Sequence, residues 1–364
     1  MRETRELPAS RVAVPLMNVM GDVRAAVPEL SQEEANIYDR QIRLWGLESQ
    51  KRLRAVRVLV AGLNGLGAEV AKNLVLAGIK SITLLDNHNV TNDDFAAQFM
   101  VDRKDVGKNR AHSSKAYTKN LNPMVEVESE DGELVDKDDD YFRKFDIVCC
   151  TESLPTEALI KVNTCCRNLG VKFFCGHVWG FFGYYFSDLI QHAYTQEVPK
   201  LAKPGAPCPA KKQKMENDTS AVIQKVMTCV PLSRALQVKA GKASTGLDRK
   251  TSPLFFLLHV LLRFYDKHHV DPCESDKEKL VELRSEVAAD LAIDKERIPE
   301  SLFNTISKEV CATNAVVGGV LAQDIIKVAS CKDPPLKNFF LFDGFECLRS
   351  PRKHWPVTVH TPHH

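Results

Sequence analysis

Apolar residues along the chain change their spacing several times, and each change marks an element. SQEEANIYDRQIRLWG opens with Ser31, and Glu34 stands three positions later, a pairing in which hydroxyl and carboxylate cap a first helical turn reciprocally. A helix is predicted from there, with Ile37, Ile42, Leu44 and Trp45 supplying apolar surface and Arg40 and Arg43 charge on the remaining faces. ESQKRLRA predicts a second short helix. It leads into RVLVAG, whose unbroken apolar run at 58–61 predicts a strand buried on both faces. Gly62, Gly65 and Gly67 then open AEVAKNLVLAG, which is apolar at helical spacing and stopped by Gly78. ITLLD is a second strand, ending in Asp86. Strand, glycine turn, helix and strand within about 30 residues outline a nucleotide-binding α/β unit.

Further units follow: a helix near 107–121, a strand in FDIVCC, a helix near 155–168 and a strand at VKFFC. Such alternation predicts a mostly parallel sheet covered on both faces. From about 178 the pattern changes. WGFFGYYF gives short aromatic β-like runs, and KPGAPCPAKKQKMENDTS is rich in Pro and Lys, which predicts a mobile loop near 203–220. Helical patterns return at 253–267 and 274–292, with a third near 299–309, before CATNAVVGGVLAQDIIKVAS and the strand NFFLFDG. The predicted division is a flexible arm at 1–30, an α/β part at 31–177, an inserted β-rich domain at 178–250, a helical segment at 251–309, and the last α/β part with its tail at 310–364.

Composition narrows the function. The 364 residues are 44% hydrophobic and 26% charged, enough for one large domain with insertions, and a net charge of +2 gives no field for nucleic acid. Eleven cysteines fall as adjacent pairs, such as Cys149 with Cys150 and Cys165 with Cys166, or far apart. Without a C-x-x-C clasp they predict no structural metal, and they read as reduced thiols. No bilayer-length apolar run is predicted; LFFLLHVLL at 254–262 is bounded by Pro253 and Arg263.

Candidate chemistry centres on the glycine turn, G-L-N-G-L-G, in which Asn64 stands where a dinucleotide fingerprint has its middle glycine. The turn is therefore either a working nucleotide site or a structural relic. Asp86 either receives ribose hydroxyls or caps the strand end with Asn87. On these two features alone an NAD-dependent oxidoreductase is also open.

Five ordered segments are more specific: YDRQIRLWG at 38–46, QKRLRAVRVLVAGLNGLGAEVAKNLVLAG, VGKNRA at 106–111, NLNPMV at 120–125 and AVVGGVLAQDIIK at 315–327. Together they resemble the adenylation domain of the enzymes that activate ubiquitin-like modifiers, which implies an α/β Rossmann-like fold of the ThiF/MoeB type. Overall size and DPPLKNFFLFDG place the resemblance with the non-catalytic halves of heterodimeric activating enzymes, on the SUMO side rather than the cullin-modifier side, the alternative. An active half in this family carries a G-x-G-G-x-G turn, an Asn and an Arg before Gln-Phe that grip phosphates, an Asp that holds magnesium, and paired zinc clasps. This chain departs at each: Asn64 replaces the glycine, Ala96 and Ala97 stand for the Asn and Arg, and TESLPTEA lacks the Asp, although Glu152 is close by.

The resemblance thus implies a pseudo-adenylation domain that is inactive in isolation, retaining a vestigial turn of Gly62, Gly65, Gly67 and Asp86. ATP and Mg2+ would be bound by a catalytic partner subunit and neither by this chain alone; SUMO and, transiently, a conjugating enzyme would be further partners. It also implies that Arg40 reaches in trans into the partner's ATP site, where a planar guanidinium suits phosphate; read by residue alone, Arg40 equally fits a salt bridge with Asp39 or Glu34. Tyr38, Asp39, Arg43, Trp45, Gly318 and Gly319 are the implied interface, Gly318 and Gly319 also fitting packing on the chain's own sheet. Lys211, Lys212 and Lys214 read either as a solvated charge run or as a nuclear signal, and the resemblance implies a nuclear location.

Overall fold

A computed structural model describes residues 29–199, 220–238 and 251–345. The arm, the expected mobile loop and Lys211, Lys212 and Lys214 lie outside the described residues, apart from the ends of the two segments at 29–30 and 220.

Three short helices open the described chain: α1 (Gln32–Ile37), α2 (Asp39–Trp45) and α3 (Leu47–Leu53). The predicted box forms at α1, where the Ser31 hydroxyl accepts the Glu34 N–H and the Glu34 carboxylate accepts the Ser31 N–H. One predicted helix becomes two at Tyr38, whose backbone leaves helical geometry. The α/β run continues with β1 (Arg57–Ala61), α4 (Gly65–Ala77), β2 (Ser81–Leu85), α5 (Arg110–Leu121), β3 (Glu126–Glu130), α6 (Asp139–Phe142), β4 (Ile147–Cys150) and α7 (Thr156–Leu169). Gly78 ends α4 in the left-handed conformation, as its position predicts.

β5 (Lys172–Trp179) and β6 (Phe182–Asp188) form a hairpin within the main sheet. β7 (Gln191–Pro199) and β8 (Ser220–Thr228) make a separate two-stranded sheet, followed by α8 (Leu232–Leu236), α9 (Pro253–His268), α10 (Lys277–Asp290), α11 (Cys311–Ser330) and β9 (Phe339–Asp343). The main sheet has the order β3-β2-β1-β4-β5-β6-β9; the first five strands and β9 run in one direction, and β6 runs antiparallel between β5 and β9.

Strand alternation divides the core. Val58, Val60, Ile82 and Cys149 face α4 and α11, while Leu59, Ala61, Val148 and Cys150 face α7, α9 and α10. Two boundaries differ from expectation. The aromatic run expected to open an inserted domain at 178 supplies β6, because Tyr184 and Phe186 fill one face of the main sheet and Tyr185 the other. The helical segment belongs to the same core: Phe255 of α9 meets Phe339 of β9 edge-on at 5.4 Å. Its third pattern forms a 3-10 helix at Glu300–Thr305 and no α-helix.

Contrary to the expected lack of a bilayer-length segment, α11 is long and apolar enough to cross a membrane by length and composition; its Val, Ile, Leu and Ala residues keep its mean hydropathy high. Half of that stretch is buried in the protein, where α11 packs along α4.

Candidate functional site

The glycine turn lies between β1 and α4 at the carboxyl end of the parallel strands. Gly62 has φ +90°, and a side chain there would run into the Glu152 backbone, 2.5 Å from its nitrogen. Gly67 allows no Cβ either, since the Gly62 carbonyl and the Thr151 hydroxyl press against it. Asn64 acts as the N-cap of α4: its Oδ1 accepts the Gly67 N–H at 2.9 Å while its Nδ2 donates to the Thr151 carbonyl at 2.8 Å. The residue standing for a phosphate-approach glycine thus ties the helix start to the end of β4.

Next to it, the two amides at the start of α4 are taken by the chain's own Glu309. Gly65 N–H donates to Glu309 Oε2 at 2.9 Å and Leu66 N–H to Oε1 at 3.4 Å. Burial raises the Glu309 carboxyl, against the lowering effect of nearby His177, these two amides and Arg110. Asn314, fully buried on α11, presses its amide against Gly65, and neither its Oδ1 nor its Nδ2 has a hydrogen-bond partner.

Asp86 is also engaged. Its Oδ2 accepts the Leu63 N–H at 2.5 Å and Arg110 Nε at 2.8 Å, and its Oδ1 accepts the His88 N–H at 2.9 Å. Burial would raise this carboxyl, but the His88 hydrogen bond and the Arg110 charge outweigh it and bring it to about 2. Of the two sequence readings, the strand-end cap describes its bonding, with His88 in place of Asn87. Arg110 extends the network to Asp94 at 2.8 Å.

Ala96 ends a 3-10 turn at Asp93–Ala96, and Ala97 is buried beside Gly65, so neither offers a donor to an anion. Glu152, near the position expected for a magnesium ligand, is buried and pushed up to about 7, first by burial and then by the charge of Asp86. With the two amides taken by Glu309 and with Ala at positions 96 and 97, these residues as they stand offer a triphosphate neither the free amides of the turn nor a charged clamp there.

Sequence reasoning missed two residues here. Arg110 lies inside VGKNRA, and a basic residue opening a predicted helix beside an acidic strand end was the signal available. Glu309 had none, standing 244 residues from the amide it binds. Cys149 and Cys150, at the end of β4, are buried; burial pushes the Cys149 thiol up to about 12 and the Cys150 thiol well above its ordinary value.

Arg40 stands apart on α2. It is exposed and makes no hydrogen bond or ion pair with any described residue. Its sequence-level candidates are otherwise engaged, Asp39 with Arg43 at 3.0 Å and Glu34 with Arg54. Tyr38 is only 1% exposed and lies in the chain's own core, while Trp45 is half-buried and donates from Nε1 to Gln50 at 3.0 Å. Gly318 packs against Glu69 and Leu66 of α4, whereas Gly319 faces open space. Ile37, Leu44, Leu47, Leu76 and Val316, on α1, α2, α3, α4 and α11, are exposed, Leu44 to 74%.

The chain belongs to the ThiF family, whose model matches residues 38–354. Within it, the chain is similar to SUMO-activating enzyme subunit 1 of Homo sapiens, 42% identical over 335 residues that cover 88% of this chain and 96% of that protein. The same-named protein of Xenopus laevis is 44% identical over 326 residues, 86% and 94% of the two chains, and that of Danio rerio 41% identical over 328 residues, 87% and 94%.

Proposed function

We propose that this chain is the non-catalytic subunit of a heterodimeric SUMO-activating enzyme. The observation that carries the reading is the near-full-length similarity to proteins named as subunit 1 of that enzyme. A catalytic partner subunit binds ATP and Mg2+, adenylates the C-terminus of SUMO, forms the thioester on its own cysteine and passes SUMO to a conjugating enzyme. This chain contributes scaffold and Arg40.

The site geometry supports a silent half. An adenylating centre stabilises developing phosphate charge with free donors and metal, and loss of one donor commonly costs about 10² to 10³ in rate. Here the donors at Gly65 and Leu66 bind Glu309, and Ala96 and Ala97 carry no charge. Arg40, exposed and without a partner among the described residues, is available to a second chain. The exposed apolar residues of α1, α2, α3, α4 and α11 support a partner-binding face.

The test is co-purification with candidate catalytic subunits, followed by ATP-dependent thioester formation with SUMO or with the cullin modifier. A complex that charges SUMO is expected; a complex that charges only the other modifier overturns the assignment. A nuclear location is part of the proposal, and Lys211, Lys212 and Lys214 changed together to Ala should weaken nuclear accumulation; unchanged localisation rejects the signal.

A further inference from the structure

The helix that carries Arg40, α2, is seven residues long, and none of them is fully buried. So short a helix does not hold itself together in water, and without a buried face packing alone does not fix its direction. Side-chain hydrogen bonds do. The last carbonyls of an α-helix lack intrahelical donors of their own ladder. At the end of α4 they are taken one after another by side-chain amides: Val75 by Asn122 Nδ2 at 2.9 Å, Leu76 by Gln41 Nε2 at 3.2 Å and Ala77 by Gln50 Nε2 at 3.0 Å. Asn122 Nδ2 also donates to the hydroxyl of Tyr38, immediately ahead of α2. Gln50 stands on α3, and its Oε1 accepts the Nε1–H of Trp45, the last residue of α2, at 3.0 Å. Both ends of α2 are therefore tied to the end of α4, with Arg40 between the ties.

We propose, resting on the role of Arg40 in the proposed function, that Gln50 is a positioning residue for it: by linking Trp45 to the Ala77 carbonyl, Gln50 sets the direction of α2 and so the place from which the exposed guanidinium extends. Gln50 is 0% exposed, and both ends of its amide are bonded within the chain. It touches neither solvent nor a second chain, so it acts only through the groups it holds. A neutral amide suits this relay because one end accepts while the other donates; a hydrocarbon side chain would leave the Trp45 N–H and the Ala77 carbonyl without their partner. The consequence for rate is large for a small movement, since misplacing a catalytic group by about 1 Å can cost about 10²-fold.

The experiment uses the assembled heterodimer and reads SUMO-dependent ATP–pyrophosphate exchange for wild type, Gln50→Leu, Arg40→Ala and the double variant, with complex mass and the KM for SUMO taken on the same preparations. Gln50→Leu should assemble and lose about 10-fold in exchange, with the KM for SUMO unchanged. In the Arg40→Ala background the same substitution should change exchange by less than about 2-fold, because nothing is left to position. Where Gln50→Leu does not assemble, Trp45→Phe enters the same cycle; it keeps an apolar ring, removes only the N–H, and should show the same pattern in smaller measure.

Unchanged exchange, a raised KM for SUMO, an equal loss with and without Arg40, or failure of both variants to assemble overturns the proposal and leaves the role of Arg40 standing. If Arg40→Ala alone leaves exchange unchanged in an intact complex, the role of Arg40 falls, and the positioning role of Gln50 falls with it.

Discussion

The Tyr38 hydroxyl accepts a hydrogen bond from Asn122 Nδ2 over 2.8 Å, joining the loop before α2 to the end of α5 in the protein interior. The Tyr38 ring closes over Gly78, where a Cβ would lie 2.5 Å from the ring carbon bearing the hydroxyl. This pair anchors the helices that carry Arg40 to the α/β body. Tyr38→Phe should cost about 1 kcal/mol, since Asn122 Nδ2 keeps the Val75 carbonyl as a partner, whereas Tyr38→Ala should cost about 3–5 kcal/mol through the cavity it leaves. Urea unfolding of the two variants, with unchanged denaturant slopes, is the check; equal and small losses would mean that the ring is not a structural anchor.

Arg40 is exposed and makes no hydrogen bond or ion pair with a described residue, so Arg40→Ala should change stability by less than about 0.5 kcal/mol. Under the proposed function the same change slows SUMO adenylation by the assembled enzyme by roughly 10-fold to 10³-fold, less than the best arginines supplied in trans because a partner's own groups share the work. Arg40→Lys should recover little, for lack of the planar fork. Pyrophosphate exchange and complex mass would be read on the same preparations. An intact complex with unchanged exchange reduces Arg40 to a bystander.

Adjacent glycines on α11 should respond in opposite senses. Gly318→Ala places a methyl group 2.6 Å from Glu69 Cβ and should destabilise the chain by roughly 1–3 kcal/mol. Gly319→Ala meets open space and should stabilise it by about 0.5–1 kcal/mol through helix propensity. If Gly319 lies under a partner, its Ala variant also assembles more weakly while melting higher alone. Assembly at wild-type strength would remove Gly319 from the interface.

Two buried groups give opposite pH dependences. Glu152 is raised to about 7, so the stability tied to its neutral form is full below about 4.5 and is lost as pH rises through 7, by about 3 kcal/mol in all. Glu152→Gln should therefore gain on wild type between pH 5 and pH 8. His192 is lowered to about 4, first by burial and then by Lys172, so its contribution is full above about 6.5 and is lost as pH falls toward 4. His192→Leu should flatten that acid limb, a further change of about 3 kcal/mol. Parallel stability curves for variant and wild type across these windows would contradict either assignment.

Local pattern determined much of this protein. The Ser31 and Glu34 box, the apolar run of β1, the Gly78 stop and the helical spacing of α4, α7 and α11 are short-range signals, set by backbone hydrogen bonding and by which face must leave water. The loss of charge at Ala96 and Ala97 was legible for the same reason, since a missing side chain needs no partner to be noticed. What decided the site was long-range. Glu309 reaches Gly65 only because α11 packs along α4, Tyr38 is buried only because Gly78 leaves room for its ring, and the aromatic run of β6 joins the main sheet only because β9 returns to pair with it. Spacing along a chain encodes the period of an element and the face it must bury, but not which distant group arrives at a helix end; packing of the whole chain settles that.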